Sequence, residues 1–305
     1  MAIQQLTYQD HVWVNITDPT DTDLRTLREQ YPFLSPLNLE DITSIIERPK
    51  IDCEDDYLFM ILQLPLWDEQ MRLTRPYEID MFVGQRFVIT AQDGNFKPLN
   101  TLFNTAQQNE TTLVKLLGKG GPHTFYLIID TLVDYIFPIL NKIDYNIRLL
   151  EERIFSADAR ILIREIALLR RDIIALQRII RQLVPVIEDM NSSTEQVFSH
   201  DMTDYFDDVV DHIHRARAII DEDADVVAGL ADTADKLLSH RLNNVIRVLT
   251  VISVLVLPLN FIAGVYGMNI ALPLQDNPVA FFIVVGVMLL ITIAMLAFFR
   301  FRRWI

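Results

Sequence analysis

The chain of 305 residues contains one cysteine, Cys53, and nine glycines. A single cysteine excludes an intrachain disulfide and any cysteine-rich metal site, and it fits a reducing compartment. The opening segment MAIQQLTYQDHVWV lacks a cationic, apolar leader, so we expect no signal peptide there. No HExxH or GxSxG frame is present, and we therefore expect a protein that is not an enzyme.

Glycines cluster in one place, the segment LLGKGGPHT at 116–124. The segment lacks the GxxxxGK[ST] spacing of a phosphate-binding loop, so we interpret it as a linker between domains. The formal net charge is −14, with 41 acidic against 27 basic residues, and we expect no nucleic-acid partner.

Hydrophobic residues make up half of this acidic chain, and their excess lies in two uncharged runs, 248–266 and 279–299. Each run is long enough to cross a bilayer as a helix. No Lys or Arg occurs in the segment GMNIALPLQDNP between them, whereas arginines precede the first run and follow the second. The positive-inside rule then predicts a multi-pass protein of the cell inner (plasma) membrane with both termini cytoplasmic.

The preceding part of the chain predicts an α+β cytoplasmic domain, an α/β/α sandwich, at 1–120. Its β-rich runs are HVWVNI, YLFMILQL, EIDMFVG and RFVITAQ, with a hairpin turn at Gly84 and Gln85 between the last two. The stretch DPTDTDLRTLREQY predicts a helix, for which Asp18 and Thr20 are both candidate N-caps.

Long helices are predicted for the rest. Residues 121–200 have the spacing of a helical hairpin, with a break at FSADA and an end at MNSSTEQ. Residues 201–266 predict a stalk helix that continues into the first membrane span; 64 residues would measure roughly 96 Å. An outer loop at 267–278, a second span at 279–299 and a basic tail at 300–305 complete the predicted two-helix transmembrane hairpin.

Polar and small residues of the first span fall on one line. Two membrane helices cannot enclose an ion path alone, so transport would require an oligomer. Steps of three and four residues, typical of the seam of a parallel helix bundle, connect Asn243, Ile246, Thr250, Ser253, Leu257, Asn260 and Gly264. The second span offers Thr292 and is expected to face lipid. For Ser253 and Gly264 simple helix packing is the alternative interpretation.

The end of this span carries a recognisable motif. YGMN at 266–269, preceded by PLNFIAGV and followed by a second span and a basic tail, resembles the CorA family of divalent-cation transporters. The resemblance extends to NNVIRVLTVISVLVLP, to YFDDVVDH and to ERPKI. It implies a homopentameric funnel of identical subunits in a lipid membrane and electrogenic uptake of Mg²⁺, often with Co²⁺ or Ni²⁺.

Carried over by position, the resemblance implies roles for individual residues. Gly267, Met268 and Asn269 would form the selectivity filter. The conduit would be lined by Asn260, Leu257, Ser253, Leu249, Ile246 and Asn243. The spacing argument prefers Thr250 where the family pattern prefers Leu249. Neutral amide rings at Asn269 and Asn260 would accept hydrogen bonds from the waters of hydrated Mg²⁺ without trapping the ion.

Control of the pathway is a separate hypothesis. Eleven acidic residues lie between Asp201 and Asp235, against two arginines. We predict that cytosolic Mg²⁺ bridges such carboxylates between subunits and holds apolar rings in the first span closed. By resemblance Asp208 is the candidate ligand, with Asp68 of a neighbouring subunit as its partner. His212 lies four residues after Asp208, a spacing that suits Zn²⁺ but is common among surface neighbours.

This chain departs from the family pattern in the outer loop, and two alternative functions stay open. The family loop commonly has an acidic residue where this chain has Leu274, which leaves Asp276 to attract cations outside. A ZntB-like zinc transporter of the same fold is one alternative, although the intact Gly-Met-Asn motif argues against it. A non-conducting, membrane-tethered cation sensor is the other.

Overall fold

Six strands and nine helices form within the residues described by the computed structural model, namely 3–44, 48–68, 71, 73–156, 158–198, 202–268, 279–302 and 304. The strands are β1 (Ile3–Tyr8), β2 (His11–Thr17), β3 (Lys50–Cys53), β4 (Tyr57–Asp68), β5 (Leu73–Gly84) and β6 (Phe87–Gln92). The helices are α1 (Asp21–Gln30), α2 (Pro36–Asp41), α3 (Lys97–Gln108), α4 (Glu110–Leu117), α5 (Gly121–Asp134), α6 (Ile136–Arg153), α7 (Ala159–Phe198), α8 (Thr203–Tyr266) and α9 (Ala280–Phe301).

The strands form one mixed sheet in the order β1-β2-β6-β5-β4-β3. Strands β2 and β6 pair in parallel and the other neighbours are antiparallel. The hairpin between β5 and β6 is confirmed, but its loop consists of Gln85 and Arg86, one residue later than predicted. Gly84 still belongs to the strand, where an added Cβ would lie 2.0 Å from the Phe87 ring.

The sheet is covered on both faces, which confirms the α/β/α arrangement. Because side chains alternate along a strand, Phe59 and Ile61 of β4 face one side, together with Leu27 of α1 and Leu39 of α2. On the other side, the Trp13 ring of β2 meets a ring of α3 edge-on at 4.9 Å. Helix α7 also contacts β3, β4 and β5.

Helix α1 begins where the sequence indicates. Thr20 is the N-cap: its hydroxyl accepts a hydrogen bond from the Asp23 backbone N–H, and the Asp23 carboxylate accepts one from the Thr20 N–H. This reciprocal capping box selects Thr20 over Asp18.

The glycine cluster lies inside a compact unit, Met1–Ala231, rather than at its edge. Gly120 adopts a φ of +98°, which favours glycine. The Gly121 N–H donates to the Gln85 carbonyl at 2.9 Å, and an added Cβ at Gly121 would lie 1.8 Å from the Gly84 carbonyl oxygen. These glycines allow the start of α5 to approach the β5–β6 hairpin.

The pair of helices predicted around FSADA forms as α6 and α7, which contact each other. The predicted end of the second helix at MNSSTEQ is wrong, because α7 continues to Phe198. Thr194 is buried, and its hydroxyl donates to the Met190 carbonyl at 2.7 Å, so this polar group is satisfied within the helix.

The second compact unit, Asp232–Ile305, contains the later part of α8 and all of α9. Three described segments are long and apolar enough to cross a membrane: Gly121–Arg153, Thr203–Tyr266 and Phe281–Phe301. Half of the most apolar window in the first is buried inside the protein, against 6% in the second and none in the third. Gly121–Arg153 is therefore core, and the later part of α8 and all of α9 are the membrane spans.

Candidate ion pathway and cation site

The predicted pathway residues of α8 form an uncovered line in the second unit. Each of these residues is exposed in the single chain: Asn243, Ile246, Leu249, Ser253, Leu257, Asn260 and Gly264. Leu257 is 71% exposed. Polar and small residues and large apolar ones thus share one open face.

Covered positions of the same span lie on a nearly opposite face. Val251 is buried and Leu255, Pro258, Ile262 and Val265 are half-buried, again at steps of three and four residues. At 100° per residue, this line is nearly opposite to the one through Ser253 and Asn260. The fold therefore covers one face of the span and leaves the predicted pathway face free.

Leu249 and Thr250, the two alternative pathway residues, lie on different sides of α8. Leu249 is 63% exposed and lies with the open line. Thr250 is half-buried and lines a groove together with residues of α9, and its hydroxyl donates to the Ile246 carbonyl at 2.8 Å. This arrangement favours Leu249 over Thr250 as a pathway residue.

The helix ends immediately before the Gly-Met-Asn motif. The Gly267 N–H donates to the Ala263 carbonyl at 2.9 Å, and the Met268 N–H donates to the Val265 carbonyl at 3.2 Å. An added Cβ at Gly267 would lie 3.1 Å from the Ala263 oxygen, a tight contact that glycine avoids. Asn269 lies outside the described residues.

A group of potential cation ligands lies between α5 and α8 in the first unit. Asp130 and Asp134 are one turn apart on α5, and with His212 of α8 they offer ligand atoms that all lie within 4.8 Å of one another. Asp208, one turn before His212, adds a carboxylate oxygen 3.9 Å from His212 Nε2. Asp130, Asp134 and His212 thus form the compact group, and Asp208 lies beside the other nitrogen of the same imidazole, not the nitrogen that faces Asp134.

The local electrostatics of this group favour a bound cation. Burial raises the pKa of Asp130, and the nearby Asp134 carboxylate raises it further. His212 Nδ1 is buried and lies 3.1 Å from an Asp134 oxygen, yet it has no hydrogen bond with suitable geometry within the described part of the chain. Hard divalent cations prefer carboxylate oxygen, and imidazole suits Co²⁺ and Zn²⁺, so the donor set fits these ions.

The sequence indicated the α8 residues at this place but not the α5 residues. Sequence reasoning selected Asp208 and noted the spacing to His212, but it missed Asp130 and Asp134. Two carboxylates one turn apart in the otherwise apolar stretch FYLIIDTLVDYIF were a usable signal. The nearby His214 of α8 contacts a different helix, since its Nε2 lies 3.0 Å from a Glu188 oxygen of α7.

Asp68 lies at the end of β4 with its carboxylate already engaged. One oxygen accepts from the Met71 N–H at 2.9 Å, and the other lies 2.9 Å from the Arg75 guanidinium. Its predicted partnership with Asp208 of a neighbouring subunit stays a prediction.

Comparisons with known proteins agree with the motif. A family model described as "CorA-like Mg2+ transporter protein" matches residues 8–303. The cobalt/magnesium transport protein CorA of Thermotoga maritima is 28% identical, over 96% of this chain and 83% of that protein. The putative metal ion transporter YfjQ of Bacillus subtilis is 33% identical, over 96% and 89%.

The fold agrees as well. The complete structure of the CorA magnesium transporter from Methanocaldococcus jannaschii matches with a TM-score of 0.86 at 19% identity, covering 98% of this chain and 94% of that chain. The family match over nearly the whole chain, together with the motif at the end of α8, leads to one conclusion: the chain belongs to the family of CorA-like Mg²⁺ transporter proteins.

Proposed function

We propose that five copies of this chain form a channel-type transporter for Mg²⁺ and Co²⁺ in the cell inner (plasma) membrane, with both termini cytoplasmic and α8 around the ion path. The observation that carries the proposal is the uncovered line of polar, small and apolar residues on α8, opposite its covered face. Asparagine side chains on this face would be costly against lipid, so the proposal places this face around a common axis formed by identical helices.

Selection would operate on the hydrated ion. Mg²⁺ gives up its first-shell water reluctantly, and the oxygens of an Asn ring accept hydrogen bonds from that water. Asn269, in the filter with Gly267 and Met268, would form the outer ring and Asn260 the inner one. A neutral amide binds more weakly than a carboxylate, so the ion is recognised and also released.

The membrane potential would supply the driving force. Moving two positive charges inward gains about 4.6 kcal/mol per 100 mV, twice the single-charge value. At about 1.4 kcal/mol per factor of ten, this supports a gradient above a thousandfold. No nucleotide site is required.

Closure would come from apolar rings, and regulation from the acidic cluster. Ile246, Leu249 and Leu257 are large, apolar and exposed on the pathway face, and rings of such side chains exclude water when they are narrow. A cytosolic divalent cation at Asp130, Asp134 and His212, with the Asp208 carboxylate beside the same imidazole, would link α5 to α8, the helix that carries those rings. Cation loss would release this link and favour opening.

Ion flux into liposomes tests the proposal. The purified protein is reconstituted with an internal Mg²⁺ dye, and a potential that is negative inside is imposed. We expect Asn269→Ala to abolish flux, because the outer amide ring is lost. Thr292→Ala serves as the control and is expected to retain flux, since the Thr292 hydroxyl donates within α9 to the Met288 carbonyl at 2.8 Å.

The same assay separates the alternatives. Flux of Zn²⁺ but not Mg²⁺ would favour the ZntB-like zinc transporter, and no flux of any divalent cation would favour the non-conducting sensor. For regulation, Asp208→Asn is expected to keep transport active at high Mg²⁺ on the cytosolic side. Unchanged inhibition in that variant would reject the cluster as the regulatory site.

A further inference from the structure

An apolar groove lies in the second unit at the end where both membrane helices carry arginines. It has a cavity volume of about 460 Å³, within the range of ligand pockets. Its walls come from α8, from α9 and from Trp304, three residues after the end of α9: Thr250, Val254, Ala294, Met295, Phe298, Phe299 and Trp304.

Thr250, the only residue with a side-chain hydroxyl among those that line the groove, does not make the groove polar. The hydroxyl of this residue donates inside α8 to the Ile246 carbonyl at 2.8 Å, so its proton is already used within the helix. Aromatic rings close the arginine end: the Trp304 indole stacks on Phe299 with ring centroids 5.8 Å apart, and the backbone N–H of Trp304 donates to the Phe299 carbonyl at 2.9 Å. The lining suits a hydrocarbon chain.

The rim at this end is cationic. The Arg302 guanidinium carbon lies 5.8 Å from the centroid of Phe298, one of the wall residues. Arg247 precedes Val254 by seven residues, two helical turns, and so lies on the same side of α8. After Asp235 the sequence has a single acidic residue, Asp276, which belongs to the connection at the opposite end of the spans. The two earlier acidic residues of this unit, Asp232 and Asp235, precede Arg247 by at least twelve residues, and Asp232 pairs with Lys236 at 2.6 Å, so neither lies beside these arginines in the sequence.

We propose that the groove binds one acyl chain of an anionic phospholipid and that the lipid phosphate lies against Arg302 and Arg247. An apolar slot with a cationic rim and an aromatic residue at the interface matches an amphiphile with a negative headgroup. A second copy of the hairpin is a poorer occupant, because it would bring the same arginines and no acidic residue to this rim.

Native mass spectrometry of the purified full-length protein in detergent tests the site. Phosphatidylglycerol and phosphatidylcholine with the same acyl chains are the probes. One arginine near an anionic headgroup corresponds to about a fivefold gain in affinity, so we expect at least that preference for phosphatidylglycerol and its loss in Arg302→Gln. Arg300→Gln is the matched control, because it removes the same charge two residues away, on another side of α9, and is expected to keep the preference.

A second pair of variants tests the groove itself. Ala294→Trp fills it and is expected to lower retention of both lipids, whereas Leu296→Trp, on the other side of α9, leaves retention unchanged. The proposal is overturned if the two arginine variants lose the preference equally, or if wild-type protein retains both lipids equally. It is also overturned if Ala294→Trp dissociates the oligomer while lipid retention persists, since the groove would then be a contact between copies. If Ala294→Trp fails to fold, the arginine pair decides.

Discussion

Asp223 is an acidic side chain that the fold buries on α8, at 7% exposure. Its Oδ2 has no hydrogen-bond partner among the residues that the structure describes. Burial raises the pKa of Asp223 to about 6, and the carboxylates of Asp144 on α6 and Glu222 add to the rise. Asp144 itself pairs with Arg148 at 2.8 Å, so that arginine is already engaged.

This carboxyl makes folding stability depend on pH in a predictable direction. An acid with a raised pKa is destabilised in its charged form, so its contribution lowers stability as pH rises from the ordinary value of 3.8 through 6. We expect Asp223→Asn to stabilise the protein at pH 8 by about 1–2 kcal/mol, after discounting for solvent screening. The difference from wild type should shrink below pH 5. Thermal unfolding between pH 4.5 and 8 measures it, and Asp225→Asn, an exposed neighbour, should lack the effect.

At the scale of secondary-structure elements, replacing a glycine by alanine is expected to have opposite effects on stability in α5 and in α8. Gly121 begins α5 against the β5–β6 hairpin, where an added Cβ meets backbone at 1.8 Å, whereas an added Cβ at Gly229 in α8 has, apart from its own helix backbone, no atom of the described residues within 4 Å. We expect Gly121→Ala to destabilise by about 1–3 kcal/mol through overpacking. Gly229→Ala should be neutral or stabilise by up to about 1 kcal/mol, from helix propensity. Denaturant unfolding measures both, and equal losses would contradict the proposed contact.

At the scale of the whole molecule, the open face of α8 predicts which residues approach a common axis. In a Cys53→Ser background, Ser253→Cys should react with a short bis-maleimide to give a ladder of up to five cross-linked bands. Leu255→Cys is the control, because Leu255 is half-buried on the covered face. If both variants cross-link to the same extent, the proposal that the open face of α8 approaches a common axis is contradicted. A ladder that ends at the dimer band would contradict an assembly of five subunits.

The sequence anticipated the central strands and missed the edges. The runs that became β4, β5 and β6 are rich in aromatic and branched residues because both faces of the sheet are covered there. Strand β1, IQQLTY, and strand β3, KIDC, lie at the two edges of the sheet and carry polar, partly exposed side chains. They have little apolar signal, since an edge strand is held mainly by backbone hydrogen bonds to one neighbour.

Part of the candidate site was also predictable from sequence. Asp208 and His212 are one turn apart on α8, so local spacing brings them together. Asp130 and Asp134 lie about eighty residues earlier on α5, and only the packing of α5 against α8 places them beside His212. The glycine segment looked like a linker for a similar reason, because the backbone that Gly121 approaches is distant in sequence.

Sequence alone determined that this chain has two membrane spans and carries the Gly-Met-Asn motif after the first. The physical reason is local: an uncharged run of about 20 residues satisfies its backbone hydrogen bonds within its own helix in lipid. Tertiary structure alone decided which apolar segment is core, that Thr250 faces the groove while Leu249 faces the open side, and which carboxylates meet. Those outcomes depend on which helix faces pack against each other, and this packing is set by contacts between residues that are distant in sequence.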